Sequence, residues 1–284
     1  MTADTAAVTA PRTTAPSGSG LWRATVAISV MEVRTFFRDT RSLVFVLAFP
    51  VLLLVIFASL FRDTVTAGGI TIPQSQFFMA GITAAGVMST AFQGLAINVV
   101  QERDSGLIRR LARTPMPKAS YFLAKVVRVF ITTLIEVCLL LAISFTVFGL
   151  PVPSTAARWG TLAWVLVLGT LACALMGMAY SALIPSVGAA APMTTPVFLL
   201  LQFISGVFFP LSQLPAWMLN LGALFPLRWL AQGLRAAFLP EALSQGEPGG
   251  SWELPRIALV LGAWVIGGLI VTVMTFKWRG PRVK

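Results

Sequence analysis

The sequence predicts an all-α integral membrane fold with six transmembrane helices, and three features lead to it. Of the 284 residues, 57% are apolar and only 11% are charged, whereas an average soluble domain is roughly 25% charged. Mean hydropathy is +0.84. Six apolar runs approach the roughly 20 residues needed to cross the hydrocarbon core, and the basic residues gather at the ends of those runs. A net charge of +11 would suit nucleic acid only if it clustered on one soluble face. This distribution instead points to a lipid bilayer as the chain's surroundings and to no nucleic-acid partner.

Residues 1–20, MTADTAAVTAPRTTAPSGSG, contain neither an apolar core nor the parts of a signal peptide. They read as a disordered cytoplasmic tail, and residues 21–284 as one membrane domain. From Leu21, the residues Trp22, Val26, Val30, Val33 and Phe37 recur at three- and four-residue steps, while Arg23, Arg34, Arg38 and Arg41 fall off that stripe. This is the pattern of an amphipathic helix. An apolar run follows directly, so the helix is read as lying in the membrane interface with its arginines towards anionic headgroups.

The spans are expected near residues 42–61, 77–99, 121–148, 162–184, 192–209 and 257–276. Between the fifth and sixth, Pro210, Pro215 and Pro226 interrupt an apolar stretch. Each proline removes a backbone donor and ends a helix, so two short re-entrant or interfacial helices fit better than a seventh crossing. Sixteen of the 21 basic residues fall on one side of the implied topology. The positive-inside rule makes that side cytoplasmic, together with both termini. Cys138 and Cys173, each within an apolar run, read as small buried side chains.

One charged island breaks the pattern: QERDSGLIRRLARTPMPKASYFLAK, residues 101–125. Asp104 or Ser105 is placed to cap a short helix that ends before Thr114-Pro115. Leu107, Ile108 and Leu111 fall on one side of it, and Arg109, Arg110 and Arg113 on another. Such a helix, about two turns long, is not stable alone in water; the membrane surface or a protein must hold it.

This island resembles the E-R-x-x-G-[TL]-x-x-[RL]-L-x-x-T-P signature that follows the second span in ABC type-2 exporter permeases, in particular the daunorubicin-resistance-like drug efflux permeases. The matching positions are Glu102, Arg103, Gly106, Leu107, Leu111, Thr114, Pro115 and Lys125. The proline-broken segment is similar to that family's stretch before the last span, and the resemblance extends over nearly the whole chain from Leu21. It implies a membrane subunit working as a pair, a homodimer, with two cytosolic ABC ATPase subunits. The 104–113 helix would then be the coupling helix and residues 21–38 the connecting helix. Coupling would rest on Glu102, Arg103, Asp104, Gly106, Leu107, Ile108, Arg110, Leu111 and Arg113. The chain itself holds no G-x-x-x-x-G-K-[ST] phosphate loop, so ATP and Mg belong to the partner and no cofactor or enzyme activity is expected here. The implied location is a bacterial cytoplasmic membrane.

Glu136 is the single acid well inside an expected span, and intramembrane acids are costly enough to demand a role. Four readings stand open: contact with a cationic substrate, pairing with Arg128, proton carriage, or a hydrogen bond to a neighbouring helix through Thr132 or Thr133. Small residues at Gly81–Gly86 and Gly177–Ser181 permit close helix approach. Phe77, Phe78, Phe92, Phe203, Phe208 and Phe209 are candidates to line an apolar path, with Phe92 and Phe203 the foremost substrate contacts. The absence of histidine excludes Ser-His-Asp chemistry and histidine metal sites. Three functions compete. The first is an ATP-driven exporter of an amphipathic drug, antibiotic or lipid. The second is a proton-coupled antiporter using Glu136, which would need repeats and further buried ionisable groups. The third is a membrane-embedded enzyme, against which the lack of histidine and of clustered acids speaks; an ABC permease for glycans or polysaccharides is a variant of the first.

Overall fold

The computed structural model describes residues 18–61, 63–67, 70–114 and 116–276. Among them are six helices long and apolar enough to cross a membrane. An interfacial-length helix α1 (Gly18–Arg38) leads into the first span, α2 (Thr40–Leu60). Span 2 combines α3 (Gln74–Met88), a π-helical segment (Ser89–Gly94) and α4 (Leu95–Asp104). After the short α5 (Leu107–Leu111) come α6 (Lys118–Thr146), α7 (Ala156–Ser181) and α8 (Val187–Ile204), which are spans 3 to 5. Two further short helices, α9 (Ala216–Ala223) and α10 (Pro226–Phe238), precede the last span, α11 (Leu254–Thr275). α1, α5 and the arginines of both share one end of the bundle, called here the basic end.

Several boundaries differ from the sequence expectation. α1 already begins at Gly18; residues 1–17 of the expected tail lie outside the described residues, as do Pro115 and the basic residues from 277 on. The fifth span starts five residues earlier than expected and takes Pro192 and Pro196 inside it. It stops at Ile204, because Gly206 turns the chain with φ +71°, a conformation that glycine reaches without a Cβ penalty. An antiparallel hairpin, β1 (Thr64–Ala67) with β2 (Ile70–Pro73), joins spans 1 and 2. Helical periodicity carries no sign of it; its anchor is Ile72, buried against Ala236, Leu239 and Trp252. Cys173 is buried as expected, but Cys138 is exposed, since its position on α6 turns away from the other spans.

Span 2 is the axis of the bundle: 78% of its apolar stretch is buried, against 17% in α2 and 22% in α11. Glycines set the approach distances. A Cβ at position 81 would lie 2.2 Å from the Val207 carbonyl oxygen, and one at position 177 would lie 2.6 Å from that of Phe92. These small-residue positions therefore serve contacts within the chain, the kind of packing that holds helices together where no hydrophobic force acts between them.

Prolines start the segments after span 5: Pro215 caps α9, and Pro226 opens α10 where its missing N–H costs nothing. Every residue of α10 is buried. Its 13 residues reach only about 20 Å at 1.5 Å per residue, too short to cross a core about 30 Å thick. α10 is therefore a short helix packed inside the bundle, too short for a further span. Arg235 is 1% exposed and is neutralised by Glu247 at 2.7 Å, with a further bond of 3.0 Å to the Gly206 carbonyl.

α1 has three faces. Thr25, Ile28, Ser29, Glu32 and Phe36 are buried, at the three- and four-residue steps of one helix face. The apolar stripe faces outward: Trp22 is 70% exposed, and Val26, Val30 and Phe37 are also exposed. At about 100° per residue, that stripe stands roughly a quarter turn from the buried face. Arg23, Arg34 and Arg38 stand a further quarter turn on. One face meets protein, one suits acyl chains and one suits headgroups, as an interfacial helix requires.

Gly81→Ala is expected to lower the thermal unfolding midpoint in detergent by roughly 5 °C, because overpacking costs about 1–3 kcal/mol. Gly262→Ala, where nothing lies within 4 Å of the added Cβ, should leave it unchanged or slightly raised. Scanning fluorimetry of both variants measures the contrast.

Candidate functional site

The island at the basic end is built by three consecutive charged residues, each fastened to a different part of the bundle. Glu102 lies on the inner side of α4. Its Oε2 accepts a 2.8 Å bond from the Tyr121 hydroxyl and its Oε1 an ion-paired bond from Lys125. Arg103 turns the other way and donates to the carbonyls of Ser181 (3.2 Å) and Ile184 at the end of α7. Asp104 accepts from the Val187 backbone N–H at 2.8 Å, satisfying a free donor of the first turn of α8. Span 2 is thus tied to spans 3, 4 and 5 within three residues.

Lys125 is the centre of the first tie. Its side chain is wholly buried, and its ammonium donates to Glu32 of α1 at 2.8 Å, to Asn98 of α4 at 2.7 Å and to Glu102. All three donor positions of the ammonium are used. Arg128, one turn further along α6, adds a 3.3 Å bond to Glu32 and sits 5.2 Å above the Phe36 ring. Two acids and two bases cancel in a buried volume, which makes the charges tolerable. Burial would raise the Glu32 carboxyl above its ordinary 4.5, but Lys125 and then Arg128 outweigh burial and hold it lower.

Glu102 and Lys125 stand in the charged island of the sequence, whereas nothing in the sequence pattern marks Glu32, Asn98 and Tyr121 as their partners. For Glu32 a signal of burial existed: it stands four residues before Phe36 and four after Ile28, on the face that proves buried. The arginines drew attention to the opposite face.

The short helix itself differs from the expectation. α4 continues to Asp104, so α5 begins only at Leu107 and has five residues. Neither Asp104 nor Ser105 caps it. Asp104 is occupied at α8, and the Ser105 hydroxyl donates back to the Glu102 carbonyl at 3.1 Å. The N-cap is Gly106 with φ +77°, a left-handed turn that other residues adopt only with strain. Its carbonyl receives the first helical bond, from Arg110 N–H at 3.1 Å. Ile108 alone is buried, at 2% exposure; Leu107 and Leu111 are half-buried, and Arg109, Arg110 and Arg113 are exposed. α5 therefore hangs from the bundle by Ile108 and Gly106 and presents two leucines with three arginines outward.

The other sequence-predicted residues are not part of this end. Glu136 does not pair with Arg128, whose partner is Glu32, and does not bond Thr132 or Thr133. Its Oε2 accepts from the Thr90 hydroxyl at 2.7 Å. Thr90 lies in the π-helical segment of span 2, where the extra residue per turn shifts side chains around the helix. Its other oxygen, Oε1, has no hydrogen-bond partner among the described residues and lies 2.2 Å from where a Cβ on Gly86 would stand. Phe92 is fully buried beside Tyr180 and the backbone opposite Gly177, with no surface open to a substrate. Phe203 is 48% exposed and packs 5.6 Å from Phe208 near the opposite end.

Two outcomes test this geometry. Lys125→Met leaves Glu32 and Glu102 as facing buried carboxylates, and removing one partner of a buried pair costs about 3–5 kcal/mol. The variant is expected to lose most of its folded yield, and the Lys125→Met/Glu102→Gln double variant to recover part of it, measured by size-exclusion chromatography. Glu136→Gln keeps an acceptor for Thr90, so export of cationic and neutral compounds should change in equal proportion. Selective loss of the cationic ones would place the Glu136 charge on the substrate path.

The family model for the ABC-2 type transporter matches residues 23–239, from α1 through α10 and short of the last span. No curated protein matches the chain.

Proposed function

The chain belongs to the ABC-2 type transporter family, and on that premise we propose the following mechanism. It is the membrane subunit of an ATP-driven exporter that moves an amphipathic small molecule, such as a drug or antibiotic, out of a bacterial cytoplasm. Membership makes the chain a multi-pass transport component. ABC-2 permease domains typically work with ATPase subunits, so ATP and Mg are assigned to a separate cytosolic ABC ATPase. Two permease copies form the pathway and two ATPase copies drive it. The basic end is cytoplasmic, as the arginine distribution supports.

The observation that carries the reading is the threefold fastening of Glu102, Arg103 and Asp104 directly above α5. A helix of five residues has no stability of its own, yet it sits on an anchor shared by α1, α4, α6, α7 and α8. A push on Leu107 and Leu111 is transmitted through Gly106 to the end of span 2. From there the Lys125 cluster passes it to spans 3 and 1, and the Arg103 and Asp104 bonds pass it to spans 4 and 5. A loop serving only to fix topology needs arginines but none of these bonds. A proton antiporter finds less support, since Glu136 is enclosed between two spans and bonded to Thr90.

Leu111→Asp is expected to reduce co-purification with a co-expressed cytosolic ABC ATPase partner at least tenfold while the permease remains monodisperse. Leu107→Asp should behave alike. Retention of ATPase binding and of ATP-dependent export in both variants would remove α5 from the coupling role.

A further inference from the structure

At the end of the bundle away from α1 and α5, a cleft of about 610 Å³ opens between α2, the start of α3, α8 and the segment after it. Its walls are aromatic. The Phe57 ring is stacked with Phe208 at 5.5 Å and meets the edge of Phe78 at 4.9 Å, and Phe203 closes on Phe208 at 5.6 Å. Among the described residues no charged side chain lines it, but three carboxamides do: Gln74, Gln202 and Gln213.

Gln202 is the telling residue. It is 3% exposed, it lines the cleft, and its carboxamide makes no hydrogen bond among the described residues. Its polar edge keeps some surface open to the cleft, and an acyl chain covering that edge would leave the amide without a partner. A charged occupant would find no counter-charge. Ring faces and edges favour another ring, held offset or edge-on.

We propose that this cleft is a binding site for a neutral, planar ring compound carrying a hydroxyl or carbonyl group on one edge. The rings stack among Phe57, Phe203 and Phe208, and the polar edge bonds to Gln202. The assignment rests on the exporter reading and narrows its substrate class. Its position beside α8 and the hairpin end places it at the outer half of the path.

Binding is measured on the permease alone in lipid nanodiscs, by energy transfer from tryptophan to three probes: pyrene, 1-pyrenemethanol and 1-pyrenemethylammonium. The assay contains no ATPase, so a failure here is distinct from a failure of coupling at Leu111. Saturable binding of the alcohol is expected at least tenfold tighter than that of pyrene or the ammonium. Gln202→Leu should bring the alcohol to the level of pyrene, and Gln202→Glu should turn preference to the ammonium. Equal binding of pyrene and the alcohol, indifferent to Gln202→Leu, would make the cleft an acyl-chain groove and overturn the proposal. Absence of saturable binding for every probe would overturn it too, as the mark of a face covered by a second copy.

Discussion

A single buried ammonium organises the basic end of this protein. Lys125 has no exposed surface and three acceptors, one each from α1 (Glu32) and from two turns of α4 (Asn98 and Glu102). Removing a charge from water is so costly that it must be matched on the spot. The position of α1 against spans 2 and 3 is therefore set by charge balance and geometry together, more narrowly than apolar packing alone would set it. Lipid tails are as apolar as leucine, so in a bilayer burial of apolar surface gives helices little reason to choose one partner over another.

From that constraint the remainder of the end follows. With Glu102 pointing to Lys125, the next two residues must emerge on other sides of a helix that advances about 100° per residue. Arg103 meets the last carbonyls of α7 and Asp104 the first amide of α8, where helix ends leave unpaired groups of matching polarity. A charged triplet thus serves three contacts because helical rotation distributes it. Gly106, at φ +77°, then breaks direction so that α5 hangs from this anchor.

The middle of span 2 shows the same economy. A π-helical segment brings Thr90 to Glu136, and Gly86 leaves the space its carboxylate occupies. Glycine, an irregular turn and one acid are interdependent. A larger residue at position 86 would expel the carboxylate, and a regular helix would carry the Thr90 hydroxyl to another side.

The sequence alone determined the helical membrane class, the six spans and the two proline-started helices before the last one, since each depends on local composition and backbone chemistry. It also exposed the charged island, because charges stand out in an apolar chain. It did not reveal the partner of any charge. Glu32 and Lys125 are 93 residues apart and Thr90 and Glu136 are 46 apart, and no periodicity links positions so distant. It did not show which face of α1 meets the bundle, since an apolar stripe facing lipid and one facing protein look identical in a list of residues. The hairpin and the π-helical segment stayed hidden for a related reason: both are short departures whose stability comes from Ile72 on Trp252 and Thr90 on Glu136. Only the tertiary structure decided these features, because in a membrane the choice among apolar faces falls to the few polar groups that must find each other.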